Sequence, residues 1–170
     1  MEKYTELINV LNDLIRINID RARELKKRIN DLENNDEYKL LFKRLINESN
    51  EFRGQLVLEI KKKGGAVITK VSSNYGKIYN SWKELKNWLL QKKDLSILEI
   101  IQFNTKATLK VYKEALFVVA NIPADTLDLI ATQKAHLRAN CERIETELML
   151  INPRTNSPEE NYFNTKSASY

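Results

Sequence analysis

Helix breakers are scarce in this sequence of 170 residues, which holds 4 Gly and 3 Pro, two of them (Pro153 and Pro158) close to its C-terminal end. Long uninterrupted helices are therefore open to the body of the chain. Cysteine is nearly missing. Cys141 alone excludes an internal disulfide and a cysteine-built zinc site, and it suits a reducing compartment, so a cytoplasmic location is expected. Histidine is equally rare, with His136 the single one. No apolar run approaches the ~18 residues of a membrane span. The opening residues, MEKYTELINVLNDLI, carry acidic side chains at once and no small-residue cleavage pattern, unlike a secretory leader. No glycine-rich phosphate loop occurs, since Gly64 and Gly65 read as an isolated helix stop. No nucleophile stands beside a base. His136 and Cys141 are separated by a spacing that does not face two side chains toward each other on one helix. A buried, inert thiol is the expectation for Cys141, and nothing in the sequence marks a catalytic residue.

What is present is helical periodicity. A first helix is predicted over 3–33, with Leu7, Leu11, Leu14, Asn18, Ala22, Leu25, Ile29 and Leu32 on one face. A second follows over 36–63, capped by Asn35 or Asp36, with a stripe of Tyr38, Leu41, Leu45, Glu48, Phe52, Leu56 and Ile60. The stretch 64–76 reads as a crossing connection. A short amphipathic helix is predicted over 77–90, and a long third one from 95 to about 120. A last long helix runs over 124–150, with Leu127, Ile130, Gln133 or Lys134, Leu137, Cys141, Ile144 and Leu148 inward. The spacing thus predicts an all-α fold: a four-helix bundle over 1–151 with a long crossover between its second and third long helices, and a flexible tail over 152–170. Tyr162 and Phe163 of the tail could pack on the bundle or on a neighbouring chain. The net charge is +5, and the basic clusters at 26–28, 61–63 and 92–93 sit at predicted helix ends, where cations complement the macrodipole. Without interleaved aromatic residues, nucleic-acid binding is not expected.

The stripe of the third long helix is Leu98, Gln102, Thr105, Leu109, Tyr112 and Leu116, apolar at its ends and polar at its centre. Counted outward from each turn, Asn18, Glu48, Gln102, Thr105 and Cys141 fall near mid-bundle, with His136 slightly aside. A lone buried carboxylate costs several kcal/mol or takes up a proton, so polar residues at one level imply a shared network. A hydrogen-bonded layer that fixes helix register is one reading, and a metal site is the other. A di-iron centre in a helical bundle takes a carboxylate from each of two helices and a Glu-x-x-His pair from each of the others. One histidine, preceded by Gln133 where Glu would be needed, cannot supply that set. If a metal binds at all, Asp20, Glu48 and His136 are the candidates.

Several segments occur in a recognisable order: LNDLIRINIDR (11–21), LFKRLINESNEF (41–52), EIKKKGG (59–65), GKIYNSWKELK (76–86), KVYKEAL (110–116), IPAD (122–125) and TQKAHLRANCERI (132–144). Over 7–145 the chain resembles the bacterial ferritin-like family known as domain of unknown function 2383. The resemblance implies a ferritin-like four-helix bundle. It also implies that acidic ligand positions on the first helix are Arg23 and Lys26 here and those on the third long helix are Gln102 and Thr105, while on the fourth the Glu position is His136 and the His position is Cys141. Only Asp20 and Glu48 remain acidic. The expected function is a non-enzymatic helical bundle with a degenerate metal site and no cofactor, self-associating as a homodimer, with Trp88 or Tyr79 exposed as a contact surface. The alternative is a ferritin-like metal-storage protein or oxidoreductase holding iron or another divalent metal.

Overall fold

The computed structural model describes residues 4–32, 35–68, 76–92 and 95–151. Five helices and no strand occur among them: α1 (Thr5–Ile29), α2 (Asp36–Lys62), α3 (Lys77–Leu90), α4 (Ile97–Val118) and α5 (Ala124–Ile151). None is long and apolar enough to cross a membrane. The helix ends follow local chemistry. Asn35 caps α2 by accepting from the Tyr38 N–H at 3.0 Å. Gly64, at φ 74°, takes the left-handed turn that ends α2. Ser96 and Glu99 form a reciprocal capping box at the start of α4. Asn121, at φ 60°, turns the chain into α5, in a region that Asn tolerates better than most residues.

Helix α1 packs closely on α2, α4 packs on α5, and α3 lies against α1 and α4. Leu25 of α1 clusters with Leu41 and Leu45 of α2 and Leu98 of α4, while Asn18 meets Tyr112, so α1 runs antiparallel to both α2 and α4. The larger apolar cluster gathers Leu11, Leu14, Phe52, Leu56, Trp82, Val111 and Leu137. Burying such side chains is worth about 1.5–3 kcal/mol each. Helices α2 and α5 meet only sparsely, and a groove of about 830 Å³ lies between them.

The burial of α1 exceeds the single face that its periodicity predicts. Every residue from Val10 to Asn18 is buried. The second covered face is polar where it meets the crossover. Asn12 Nδ2 donates to Ala66 O at 3.1 Å, and its Oδ1 accepts from Ile68 N–H at 2.8 Å. Asp13 accepts from Tyr79 N–H at 3.2 Å, so α1 supplies the anion at the N-terminus of α3 that Gly76, lacking a side chain, does not. A Cβ on Gly76 would clash with the Asp13 carboxylate, which explains the glycine sterically. Burial pushes the Asp13 carboxyl above its ordinary range, against the opposing pull of the backbone donors and Arg16.

Two expectations are corrected by this packing. Tyr79 is buried and Trp88 is half-buried, stacked on Phe103 at 5.0 Å, so neither is an exposed contact aromatic. Leu127 is 42% exposed. Thr126 takes the inward position instead, because its hydroxyl donates to the buried Glu59. Lys62 and Lys63 stand at the end of α2 as expected, and both also pair with Asp125 at the start of α5. These partners hold the Asp125 carboxyl well below its ordinary range, Lys62 contributing most. Tyr162 and Phe163, and the expected tail over 152–170, lie outside the described residues.

Candidate functional site

The polar interior is built in two levels. At the first, Asn18 Nδ2 of α1 donates to the Tyr112 hydroxyl of α4 at 2.8 Å. That hydroxyl donates to Gln133 Oε1 of α5 at 2.8 Å. Gln133 Nε2 donates in turn to α2, at Phe52 O (3.3 Å) and Gln55 Oε1 (2.8 Å). A single hydrogen-bonded chain therefore crosses all four long helices, and Asn18, Tyr112 and Gln133 are almost wholly buried. Burial pushes the Tyr112 phenol far above its ordinary range, which keeps it protonated and able to donate.

The second level lies one turn along α1. Arg21 is fully buried. Its Nη1 donates to Glu48 Oε1 at 3.1 Å and to Ser49 Oγ at 3.2 Å, both on α2. Asn140 Nδ2 of α5 donates to the other Glu48 oxygen at 2.7 Å. Glu48 is 15% exposed and opens on the α2–α5 groove, together with Phe52, Gln133 and Asn140. Cys141 is buried beside this level, and burial pushes its thiol up to about 11, so it is protonated at neutral pH.

The six residues expected in a central layer separate on inspection. Asn18 and Glu48 are in it. Gln102 and Thr105 are buried as expected, but the Thr105 hydroxyl donates to Ile101 O of its own helix at 2.9 Å, a bond within the turn. Cys141 is buried without belonging to the chain of hydrogen bonds described above. His136 is exposed, its ring edge-on to Phe52 at 6.1 Å. Asp20 turns to α3, accepting from the Tyr79 hydroxyl at 2.5 Å and from Arg23 at 3.0 Å. The structure does not bring Asp20, Glu48 and His136 together. No group of three or more His, Cys, Asp or Glu placed to hold a metal ion occurs among the described residues. Arg23 and Lys26 are exposed, so they put no positive charge into the interior. Arg21, on the face that α1 shares with Asn18, does so instead.

Arg21, Ser49, Gln55, Tyr112, Gln133 and Asn140 are the members that sequence reasoning missed. Tyr112 and Gln133 lay on predicted inward stripes and signalled only that a polar tip was buried. Arg21 was hidden because an arginine beside an apolar stripe reads as exposed, whereas here Glu48 and Ser49 of α2 draw it inward.

The arrangement defines an all-α protein with a buried polar layer tied across its long helices. The chain belongs to the family described as Domain of unknown function (DUF2383), which matches residues 6–117, more than half of the 170 residues. The match runs from the start of α1 to the last turn of α4, and leaves out α5. No curated protein matches, and no solved structure matches.

Proposed function

We propose that this chain is a ferritin-like four-helix bundle, formed by α1, α2, α4 and α5 with α3 lying in the crossover, that has exchanged metal ligation for an internal ion pair. In this reading it is a non-enzymatic, self-associating helical protein of the reducing cytoplasm. The observation that carries it is the pairing of Glu48. One of its oxygens is taken by the buried Arg21 guanidinium and the other by Asn140. A cation seeking Glu48 must displace a side chain that already bears a positive charge inside the protein. The remaining candidates offer little to iron or another divalent metal: Asp20 is engaged by Tyr79 and Arg23, His136 is at the surface, and Cys141 keeps its proton. The residues do not fit a di-iron centre, and no redox step is assigned to them.

Elemental analysis tests this. Protein purified after growth with added iron, manganese and zinc should carry less than stoichiometric amounts of each. Stoichiometric metal that disappears in Glu48→Ala would establish the metal-binding alternative instead. Light scattering tests self-association, with a dimer expected and a strict monomer at high concentration opposing it.

A further inference from the structure

Among the described residues, Arg21 is the largest wholly buried side chain that leaves polar atoms without a partner apart from Trp82. It is wholly inaccessible, yet only Nη1 has partners. Nε and Nη2 have none among the described residues. Those two nitrogens form one edge of the guanidinium, which presents parallel N–H donors. On the same face of α1, Asn18 is also wholly buried, and its Oδ1 has no donor. The interior thus leaves both donors and an acceptor without protein partners, at neighbouring turns of one helix.

We propose that the Nε–Nη2 edge of Arg21 and the Asn18 carbonyl form an internal site for ordered water. The chemistry of the unpartnered atoms selects the guest. A metal cation would meet the guanidinium charge and N–H groups that cannot ligate. An anion would satisfy the Arg21 donors but not Asn18 Oδ1, which requires a hydrogen to accept. Water donates and accepts, and buried waters characteristically make two to four such bonds to otherwise unsatisfied groups. Charge agrees with this choice: Glu48 already neutralises Arg21, while Tyr112 and Cys141 keep their protons. A neutral guest adds no buried charge.

Oxygen-17 magnetic relaxation dispersion, which counts waters held for longer than nanoseconds, tests the site in the full-length protein. Arg21→Met, with helicity checked by circular dichroism, should lose the signal of at least one long-lived water relative to wild type. Asn18→Leu should show a loss of the same kind, and it reads the site independently where Arg21→Met fails to fold. Unchanged dispersion in either folded variant overturns the proposal. So does a rise in wild-type melting temperature specific to nitrate or bromide, measured against sulfate at equal ionic strength and absent in Arg21→Met, for the guest would then be an anion. A crystal structure with a carbonyl of the protein seated on Nε and Nη2 refutes it without any variant. Metal analysis is a separate readout, so this proposal and the metal-free reading can fail independently.

Discussion

Helix α1 carries two buried polar sets that differ in what meets them. The outer set, Asn12 and Asp13, faces the crossover and α3. Its amide and carboxylate are met by backbone groups: Ala66 O, Ile68 N–H and Tyr79 N–H. The inner set, Asn18 and Arg21, faces the other long helices. It is met mainly by side chains, and it keeps unpartnered atoms. Backbone partners are fixed by the path of the chain, so the outer set acts as a fastening: it holds 66–68 and the start of α3 against α1. Side-chain partners exist only because other helices contribute the right residues at the right level. The inner set therefore links particular residues of α1, α2, α4 and α5 at matching levels of the four long helices.

Charge separates the two sets most sharply, and Glu48→Gln is expected to have the largest effect. The substitution keeps the shape of the side chain but strands the Arg21 guanidinium without a counter-charge and sets an amide against the Asn140 donor. A loss of about 3 kcal/mol is expected, at the lower end for a broken buried pair, because Glu48 is 15% exposed. Urea unfolding measures it. Replacing both partners, Arg21→Met with Glu48→Leu, should return stability to within about 1 kcal/mol of wild type. A double variant as unstable as Glu48→Gln would mean that the loss lies in the missing pair itself and not in the stranded charge.

On the outer side, Gly76→Ala places a methyl group against the carboxylate that serves the N-terminus of α3. Asp13 must move, and it is buried. A loss of about 1–3 kcal/mol is expected by analogy with overpacking. Hydrogen exchange should show faster opening of α3 than of α5, which is the outcome a fastening requires. For the inner chain, Tyr112→Phe removes the hydroxyl that joins Asn18 to Gln133. Asn18 Nδ2 keeps Leu14 O at 2.9 Å, but Gln133 Oε1 loses the Tyr112 donor. About 1–2 kcal/mol should be lost, spread over α4 and α5 in hydrogen exchange rather than confined to α3.

The same contrast explains what the sequence makes legible. The five helices follow from periodicity, the Asn35 cap and the Gly64 stop, because these are local properties of the chain. The existence of a polar layer follows from Glu48 and Asn18 interrupting apolar stripes. Its membership does not follow. Thr105 satisfies itself on its own helix, and His136 turns outward, while Arg21 is drawn in by a partner on another helix. Spacing assigns a residue to a face, but which faces are covered depends on where α3 lies. The single stripe expected of α1 fails at Asp13 for that reason. Leu127 and Thr126 exchange roles for a similar one, since the Glu59 carboxylate that draws Thr126 inward lies far away in the sequence.

The smallest expected effect belongs to Asp13, and its pH dependence tells whether the fastening depends on charge. Burial raises the Asp13 carboxyl in the folded protein, against the pull of Arg16 and the backbone donors at α3. In the unfolded chain its pKa returns to the ordinary value near 4. A group with a raised folded pKa binds its proton more tightly in the folded state. Its contribution is therefore fully present below the unfolded pKa and is lost as pH rises through the higher folded one. Asp13→Asn mimics the protonated form and cannot titrate. The stability of the wild type relative to Asp13→Asn should therefore decline as pH is raised from about 3 through the window just above the ordinary carboxylate range, then level off toward neutrality. Urea unfolding at a series of pH values measures this difference directly. If the difference instead rises with pH, the α3 donors and Arg16 outweigh burial, and the outer set is an electrostatic clamp rather than a cap made in spite of desolvation.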